Sequence, residues 1–314
     1  MLRTTLLVLT RLAAAGLIAA LAVRLTGFDY WYPMTQLIAF TPYCVPAGVV
    51  IVAAFLVQRR WFAAVLTGLA TIAVSLLVLP RLVPDSPAAA DGVAIRVMSV
   101  NLRIGGADAA DIAALAKRAE VDVIAFQEFT PDTGTRLDQA DMTRFPFRSI
   151  HPRGLALGSA IYSRLPIRDD GVRRHASGFD QARGTLSVPG IGDVRIESAH
   201  PCAPTGAARS RCWTDDLADQ PSAADGTPQI LLGDFNATLD HAALRKLLAG
   251  GYTDAAASVG KGLTPTWPFD RPVPRIAIDH VLFSPAIAAK TFTTYPVRGT
   301  DHRCIIADLT IRVA

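Results

Sequence analysis

The stretch Val121-Asp122-Val123-Ile124-Ala125-Phe126-Gln127-Glu128 decides how this chain is read. From Val121 to Phe126 it is almost uninterruptedly apolar, as a strand covered on both faces must be, and it stops abruptly in Gln127-Glu128. Working outward, Ile95 to Val100 is a second β-rich run, and it ends at Asn101. Between the two, Asp108 and Asp111 open a helix. Its apolar positions Ile112, Leu115, Ala116 and Ala119 keep the i, i+3, i+4, i+7 spacing of one buried face. A strand, a helix and a second strand, all joined by short loops, predict an α/β fold.

The same design recurs downstream. Ile230-Leu231-Leu232 ends in Gly233-Asp234-Phe235-Asn236, with a helix expected from about His241. Ile276-Ala277-Ile278 leads into Asp279-His280 and continues as Val281-Leu282-Phe283, and Thr300-Asp301-His302 precedes a last strand near Cys304 to Ile311. Further strands are expected at Ser159–Ser163, Thr185–Val188 and Val194–Ala199, the last ending in His200. One acid at a strand end is ordinary; Asp, Glu, Asn or His at several such ends is less so, because strand ends line the ligand crevice of α/β sheets. Carboxylates and amide oxygens without a Cys or His cluster suit a hard ion, Mg²⁺ or Mn²⁺, better than Zn²⁺. Beside an Asp-His pair, such an ion suits phosphate-ester hydrolysis. Each histidine also has a plain structural reading, His200 as a strand cap and His302 as a satisfied loop residue. His151 and His175 read as surface loop residues, and Asp240-His241 as a helix start.

Ser99-Val100-Asn101, Gln127-Glu128, Tyr162-Ser163-Arg164-Leu165-Pro166, Ala199-His200, Gly233-Asp234-Phe235-Asn236, Ile278-Asp279-His280 and Thr300-Asp301-His302 occur in this order. Together they resemble the endonuclease/exonuclease/phosphatase superfamily over about residues 94 to 313. The resemblance implies a four-layer α/β/β/α sandwich with the site at one end of its two sheets. It implies that Glu128 is the main metal ligand with Asn101 and Asp301 close by, that Asp234 positions or deprotonates the attacking water, and that Asn236 orients the phosphate. His200 would contact the phosphate, and Asp279 would hold His302; whether Asp234 or the Asp279–His302 pair is the base stays open. Arg164 and Trp267 are expected to bind substrate, with a turn packed by its own indole as the equal alternative for Thr266-Trp267-Pro268. Two departures stand out. Thr300 replaces a usual serine, and the strand Gly158-Ser159-Ala160-Ile161 lacks the acid with which some nuclease members pair the first histidine.

The N-terminal third is different in kind. Of 31 basic and 27 acidic residues, the first 84 positions hold six arginines and one acid, Asp29, leaving 25 basic and 26 acidic beyond. The positive charge thus belongs to the N-terminus, and the globular part is near neutral, which excludes a disordered or generally basic chain. Apolar runs at Leu6–Phe28, Leu37–Val57 and Trp61–Leu79 each approach the ~20 residues that cross a bilayer. The expected domains are therefore 1–80, three transmembrane helices; 81–93, a Pro/Ala/Asp linker; and 94–314, the α/β domain. Arg3, Arg11 and Arg59-Arg60 outweigh Arg24 and Arg81, which places the N-terminus inside and the domain extracytoplasmic. Cleavage after Ala20-Leu21-Ala22 and a buried helical hairpin are the alternatives. Cys202 and Cys212 lie in one polar loop and would either pair in an oxidising compartment or stay free. Cys44 and Cys304 read as packing residues. Three spans, this domain and Thr-Trp-Pro are similar to a bacterial subgroup associated with teicoplanin-type resistance, which implies a lipid-carrier diphosphate as substrate. The alternatives are a surface nuclease, which a domain of net charge −1 does not favour, and a membrane protein that only binds a ligand.

Overall fold

The structure, a computed structural model, describes residues 2–85, 91–223 and 226–313; positions 86–90 of the expected linker lie outside the described residues. From the N-terminus, helix α1 (Leu2–Thr26) is followed by a short α2 (Met34–Leu37), which runs through a 3-10 turn (Ile38–Tyr43) into α3 (Cys44–Val57). After the Arg59-Arg60 corner comes α4 (Trp61–Val78), closed by a 3-10 turn at Leu79–Leu82. Three helical stretches, Arg3–Thr26, Met34–Val57 and Trp61–Leu82, are long and apolar enough to cross a membrane. They pack through a narrow seam of Ala14, Leu17, Phe55, Ala64, Ala70, Val74 and Val78. Val57 and Phe62 remain 84% exposed, the arrangement expected of helices whose outer face meets lipid rather than water.

The strands in chain order are β1 (Val93–Asn101), β2 (Val123–Gln127), β3 (Phe147–His151), β4 (Ser159–Ser163), β5 (Ile167–Arg174), β6 (Asp180–Val188), β7 (Gly192–Ala199), β8 (Gln229–Asp234), β9 (Thr253–Asp254), β10 (Asp279–Phe283), β11 (Ile287–Pro296) and β12 (Arg303–Ile311). They form two six-stranded sheets, ordered β11-β12-β1-β2-β4-β3 and β5-β6-β7-β8-β10-β9. Period-two alternation sorts the side chains: Ile95 and Val97 of β1 face the second sheet, while Met98 and Val100 face the helices outside. α5 (Ala109–Arg118) and α6 (Pro131–Gln139) cover the outer face of the first sheet. α7 (Ala207–Ala218) and α8 (Ala242–Ala249) cover that of the second with Trp213, Leu217, Leu244 and Leu247. A one-turn helix, α9 (Ala255–Ser258), follows β9. The result is the expected α/β/β/α sandwich behind three apolar helices.

Several local expectations are corrected. Residues 276–278 do not begin a strand: β10 starts at Asp279, and Ile276 instead pairs with Trp267 in an isolated bridge. His175 is buried rather than superficial, its Nδ1 3.2 Å from Asp219, and His151 lies in β3 with Nε2 3.2 Å from Asp169. Asp240-His241 does start a helix, but both side chains are buried against the N-terminal segment. Asp240 accepts from Arg24 Nε at 2.9 Å and from Arg81 Nη1 and Nη2 at 2.8 and 2.6 Å. His241 donates through Nε2 to the Thr35 carbonyl at 2.7 Å while Nδ1 accepts from the Thr238 N–H at 2.8 Å. Asp29 accepts from the Ala242 N–H, and the Tyr43 hydroxyl donates to the Arg275 carbonyl, both at 2.8 Å.

Candidate active site

Register brings the polar strand ends to one edge of the sandwich. β1 and β2 run parallel with Asn101 opposite Gln127, β7 and β8 run parallel with Ala199 opposite Gly233, and antiparallel β10 sets Asp279 opposite Asp234. Gly233 permits the closest of these approaches. It sits at φ +155°, and a Cβ there would stand 2.0 Å from the Ala199 carbonyl oxygen, so no other residue fits. Glu128 and Asn236 follow their strands in the left-handed region, at φ 59° and 49°. That conformation is uncommon for residues with a side chain and concentrates at functional turns.

The carboxylates are close-set. Asn101 donates through Nδ2 to Asp234 at 2.9 Å and to Glu128 at 3.1 Å, so one amide joins two acids from the two sheets. The other Glu128 oxygen accepts from the Ile104 N–H at 2.6 Å. Asp279 receives His302 Nδ1 at 3.0 Å, and His302 Nε2 stands 3.7 Å from Asp234. Asp279 is itself placed by Thr266, whose buried hydroxyl accepts from the backbone N–H groups of Ile278 and Asp279 at 3.0 and 3.1 Å. Burial, opposed by His302 and helped by Asp279 and Glu128, pushes the Asp234 carboxyl up to about 7. Burial works against a charged His302, but Asp279 and Asp234 outweigh it and hold the imidazolium up to about 10.

His200 is buried on the ring edge of Phe179, with Nε2 3.8 Å from Glu128 and 4.0 Å from Asp234. Its Nδ1 is buried without a hydrogen-bond partner among the described residues, and burial pushes the imidazole below its ordinary range. Asn236 donates through Nδ2 to the Pro201 carbonyl, and its backbone N–H caps Asp234 at 2.8 Å. Asp301 lines the same cavity, one oxygen accepting from Trp267 Nε1 at 2.9 Å and the other 3.7 Å from Arg103 Nε. Ligand atoms of Asp234, Asp279 and His302 lie within 4.8 Å of one another, with Glu128 and Asn101 adjoining; the carboxylate and amide oxygens of this set are the donors that suit a hard divalent ion.

Of the residues assigned from sequence, Arg164 is the one the fold removes. β4 runs antiparallel to β2 with Ser159 opposite Gln127 and Ser163 opposite Val123, so Arg164 leaves the sheet at the end away from Glu128. There it pairs with Asp122, Nη1 to Oδ1 at 3.2 Å. Trp267 does line the cavity, its indole 6.3 Å from the His302 ring. Two features escaped sequence reading. Ser99, Gln127 and Ser198 form a buried chain between the sheets beneath the site, at 3.1 and 2.9 Å, and Arg103 and Phe179 line the cavity. Inward-facing polar residues at the ends of apolar strands were the available signal for the first. Cys202 and Cys212 are joined in a disulfide, Cα atoms 6.3 Å apart, tying the loop after His200 to α7.

A family model described as the Endonuclease/Exonuclease/phosphatase family matches residues 98–302. Among solved structures, an endonuclease/exonuclease/phosphatase from Beutenbergia cavernae superimposes with a TM-score of 0.57 at 19% identity, covering 70% of this chain and 72% of that one. Humanized TDP2 from D. rerio gives 0.56 at 14%, covering 69% and 99%. A mannosyl-6-phosphatase from Bacteroides thetaiotaomicron gives 0.52 at 17%, covering 69% and 100%. A search of curated proteins found no match. With the motif residues gathered at one sheet edge and the family match running across both sheets, the chain belongs to the endonuclease/exonuclease/phosphatase family, whose members are phosphoric ester hydrolases.

Proposed function

We propose that this chain is a membrane-anchored, Mg²⁺- or Mn²⁺-dependent phosphoesterase that cleaves phosphate esters or diphosphates of lipid-linked substrates on the extracytoplasmic side. The observation that carries the hydrolytic part is the joining of Glu128, Asp234, Asp279 and His302 from two sheets around one point. Glu128, with Asn101 and Asp301, would hold the ion, which when bound neutralises phosphate charge. Asp234, raised towards neutrality, takes the proton of the attacking water. His302, kept cationic by Asp279, faces the charge that develops on the phosphoryl oxygens. Neutral His200 and the Asn236 turn hold the phosphate for in-line attack, with reacting atoms within near-contact distance. Water adds to phosphorus, the P–O bond to the leaving group breaks, and the leaving oxygen takes up the proton.

Support for the location comes from charge. Arg24 and Arg81, the two arginines on the domain side, are spent on Asp240. Arg3, Arg11, Arg59 and Arg60 on the other side outnumber them, the bias that sets orientation. A Cys202–Cys212 disulfide persists outside the reducing cytoplasm. The test is a hydrolysis panel on the purified full-length chain with Mg²⁺ or Mn²⁺, comparing lipid diphosphate, lysophospholipid, sphingomyelin, nucleotides and plasmid DNA. Phosphate release from lipid-linked compounds is expected. Nicking of DNA with all lipid compounds untouched would replace this reading with the nuclease one, and an inert panel would overturn it.

A further inference from the structure

The cavity in front of the catalytic groups has a volume of about 510 Å³, and one of its walls does not come from the sandwich at all. Thr35, Gln36, Ala39 and Phe40, from α2 and the 3-10 turn that open the second apolar stretch, line it together with residues of the sandwich. Three ties hold this segment to the sandwich. Gln36 Nε2 donates to the Pro204 carbonyl, His241 donates to the Thr35 carbonyl at 2.7 Å, and Tyr43 exchanges hydrogen bonds with the Arg275 backbone at 2.8 and 3.0 Å. The three receiving loops are those that carry His200, Asn236 and Trp267.

The lining of the cavity is therefore mixed in chemistry. It combines Glu128, Asp234, Asn236, His200 and His302 with the apolar side chains of Ala39, Phe40, Phe179, Pro204 and Ile276. A hydrolase of small, fully polar phosphate compounds gains nothing from an apolar wall beside its phosphate site. A substrate whose phosphate is followed at once by hydrocarbon matches both kinds of lining. The volume falls in the usual range for ligand pockets, roughly 300–1,000 Å³, enough for a phosphate or diphosphate and the first carbons of one chain. The remainder of the chain would leave beside the apolar helices.

We propose that residues 34–43 are part of the active site, and that Ala39 and Phe40 determine specificity by packing on the first carbons of a single-chain alkyl or isoprenyl phosphate or diphosphate. This rests on the phosphoesterase reading above and names the part of the chain that selects the substrate. An apolar pocket distinguishes one methylene by about 10- to 200-fold in kcat/KM, so the effect is measurable.

The experiment uses the full-length chain in lipid nanodiscs with Mn²⁺, and compares phosphate release from farnesyl diphosphate and methyl diphosphate. The readout is the ratio of their kcat/KM values in the wild type, in Phe40→Ala, which opens the wall, and in Ala39→Trp, which fills the space beside it. The wild type should favour the farnesyl compound by at least a hundredfold, and the ratio should fall at least tenfold in either variant whose melting temperature matches the wild type. An unchanged ratio in such a variant, or a loss that strikes both compounds equally, overturns the role of this segment and leaves the phosphoesterase reading standing. Cleavage of neither compound by the wild type, alongside activity on nucleotides or DNA, overturns the lipid reading and this inference with it.

Discussion

Glu128 meets the opposing demands of the site in a single residue. Its backbone is in the left-handed region at φ 59°, one oxygen is spent on the Ile104 N–H, and the other faces Asn101 and His200. Glu128→Gln keeps the shape but removes the charge that would hold a cation. Activity should fall by orders of magnitude and partly return at high Mg²⁺ or Mn²⁺, as losses of metal affinity do; wild-type turnover at low metal would refute the assignment. Thr266 is the complementary case, a buried residue whose hydroxyl fixes Asp279 through two backbone N–H groups. Thr266→Val preserves volume but leaves both donors unpaired, which should destabilise the fold by about 1–3 kcal/mol. Because Asp279 orients His302, kcat should drop more than KM rises. Steady-state kinetics beside a denaturant titration will separate the two effects.

Among the elements, the turn from Gly233 to His241 has two faces. Asp234 and Asn236 point into the site, while Asp240 and His241, a few residues on, bind the N-terminal helices. The Asp240 side chain is 0% exposed, and its partners Arg24 and Arg81 are 8% and 11% exposed. Burial pushes this carboxyl up, but the Arg81 and Arg24 guanidiniums outweigh it and hold it below the ordinary range. A depressed carboxyl stabilises the fold above its unfolded value of about 3.9 and loses that contribution as pH falls through the folded value. Asp240→Asn would strand two guanidiniums, so it should cost about 3–5 kcal/mol at neutral pH, and its stability should fall less steeply below about pH 4. Thermal unfolding of both proteins from pH 2 to 7 provides the comparison; parallel pH profiles would show that the triad does not hold these elements together. Sequence reading caught one face of this turn only. Gly233-Asp234-Phe235-Asn236 announces itself by an apolar strand ending in acid. Asp240-His241 looks like any helix start, because what makes it special is two arginines more than 150 positions away.

Across the whole molecule, what was legible follows the range of the forces involved. Strands such as Val123–Gln127 and Gln229–Asp234 are read from their own apolar runs, and their polar ends mark Glu128 and Asp234. Arg164 was misplaced because a motif gives order along the chain but not direction in the sheet, and β4 runs opposite to β2. The wall at Thr35–Phe40 was invisible for a related reason, since its residues carry no charge and their role exists only where helix and sandwich meet. That meeting also reframes orientation. Arg24 and Arg81 count against an extracytoplasmic domain by simple tally, and in the folded chain both pair with the one carboxylate of Asp240. The four on the other side, Arg3, Arg11, Arg59 and Arg60, outnumber these two under the positive-inside rule. Reporter fusions active only outside the cytoplasm should therefore be on after Gly92 and off after Arg60. In the same cells, an alkylating agent should leave Cys202 and Cys212 unlabelled until a reductant is added, because their disulfide survives only in an oxidising compartment. The two readouts rest on different chemistry, insertion in one case and redox poise in the other. A reporter active after Arg60 together with freely labelled thiols would move the catalytic cavity to the cytoplasm and remove outer-leaflet lipids from its substrates.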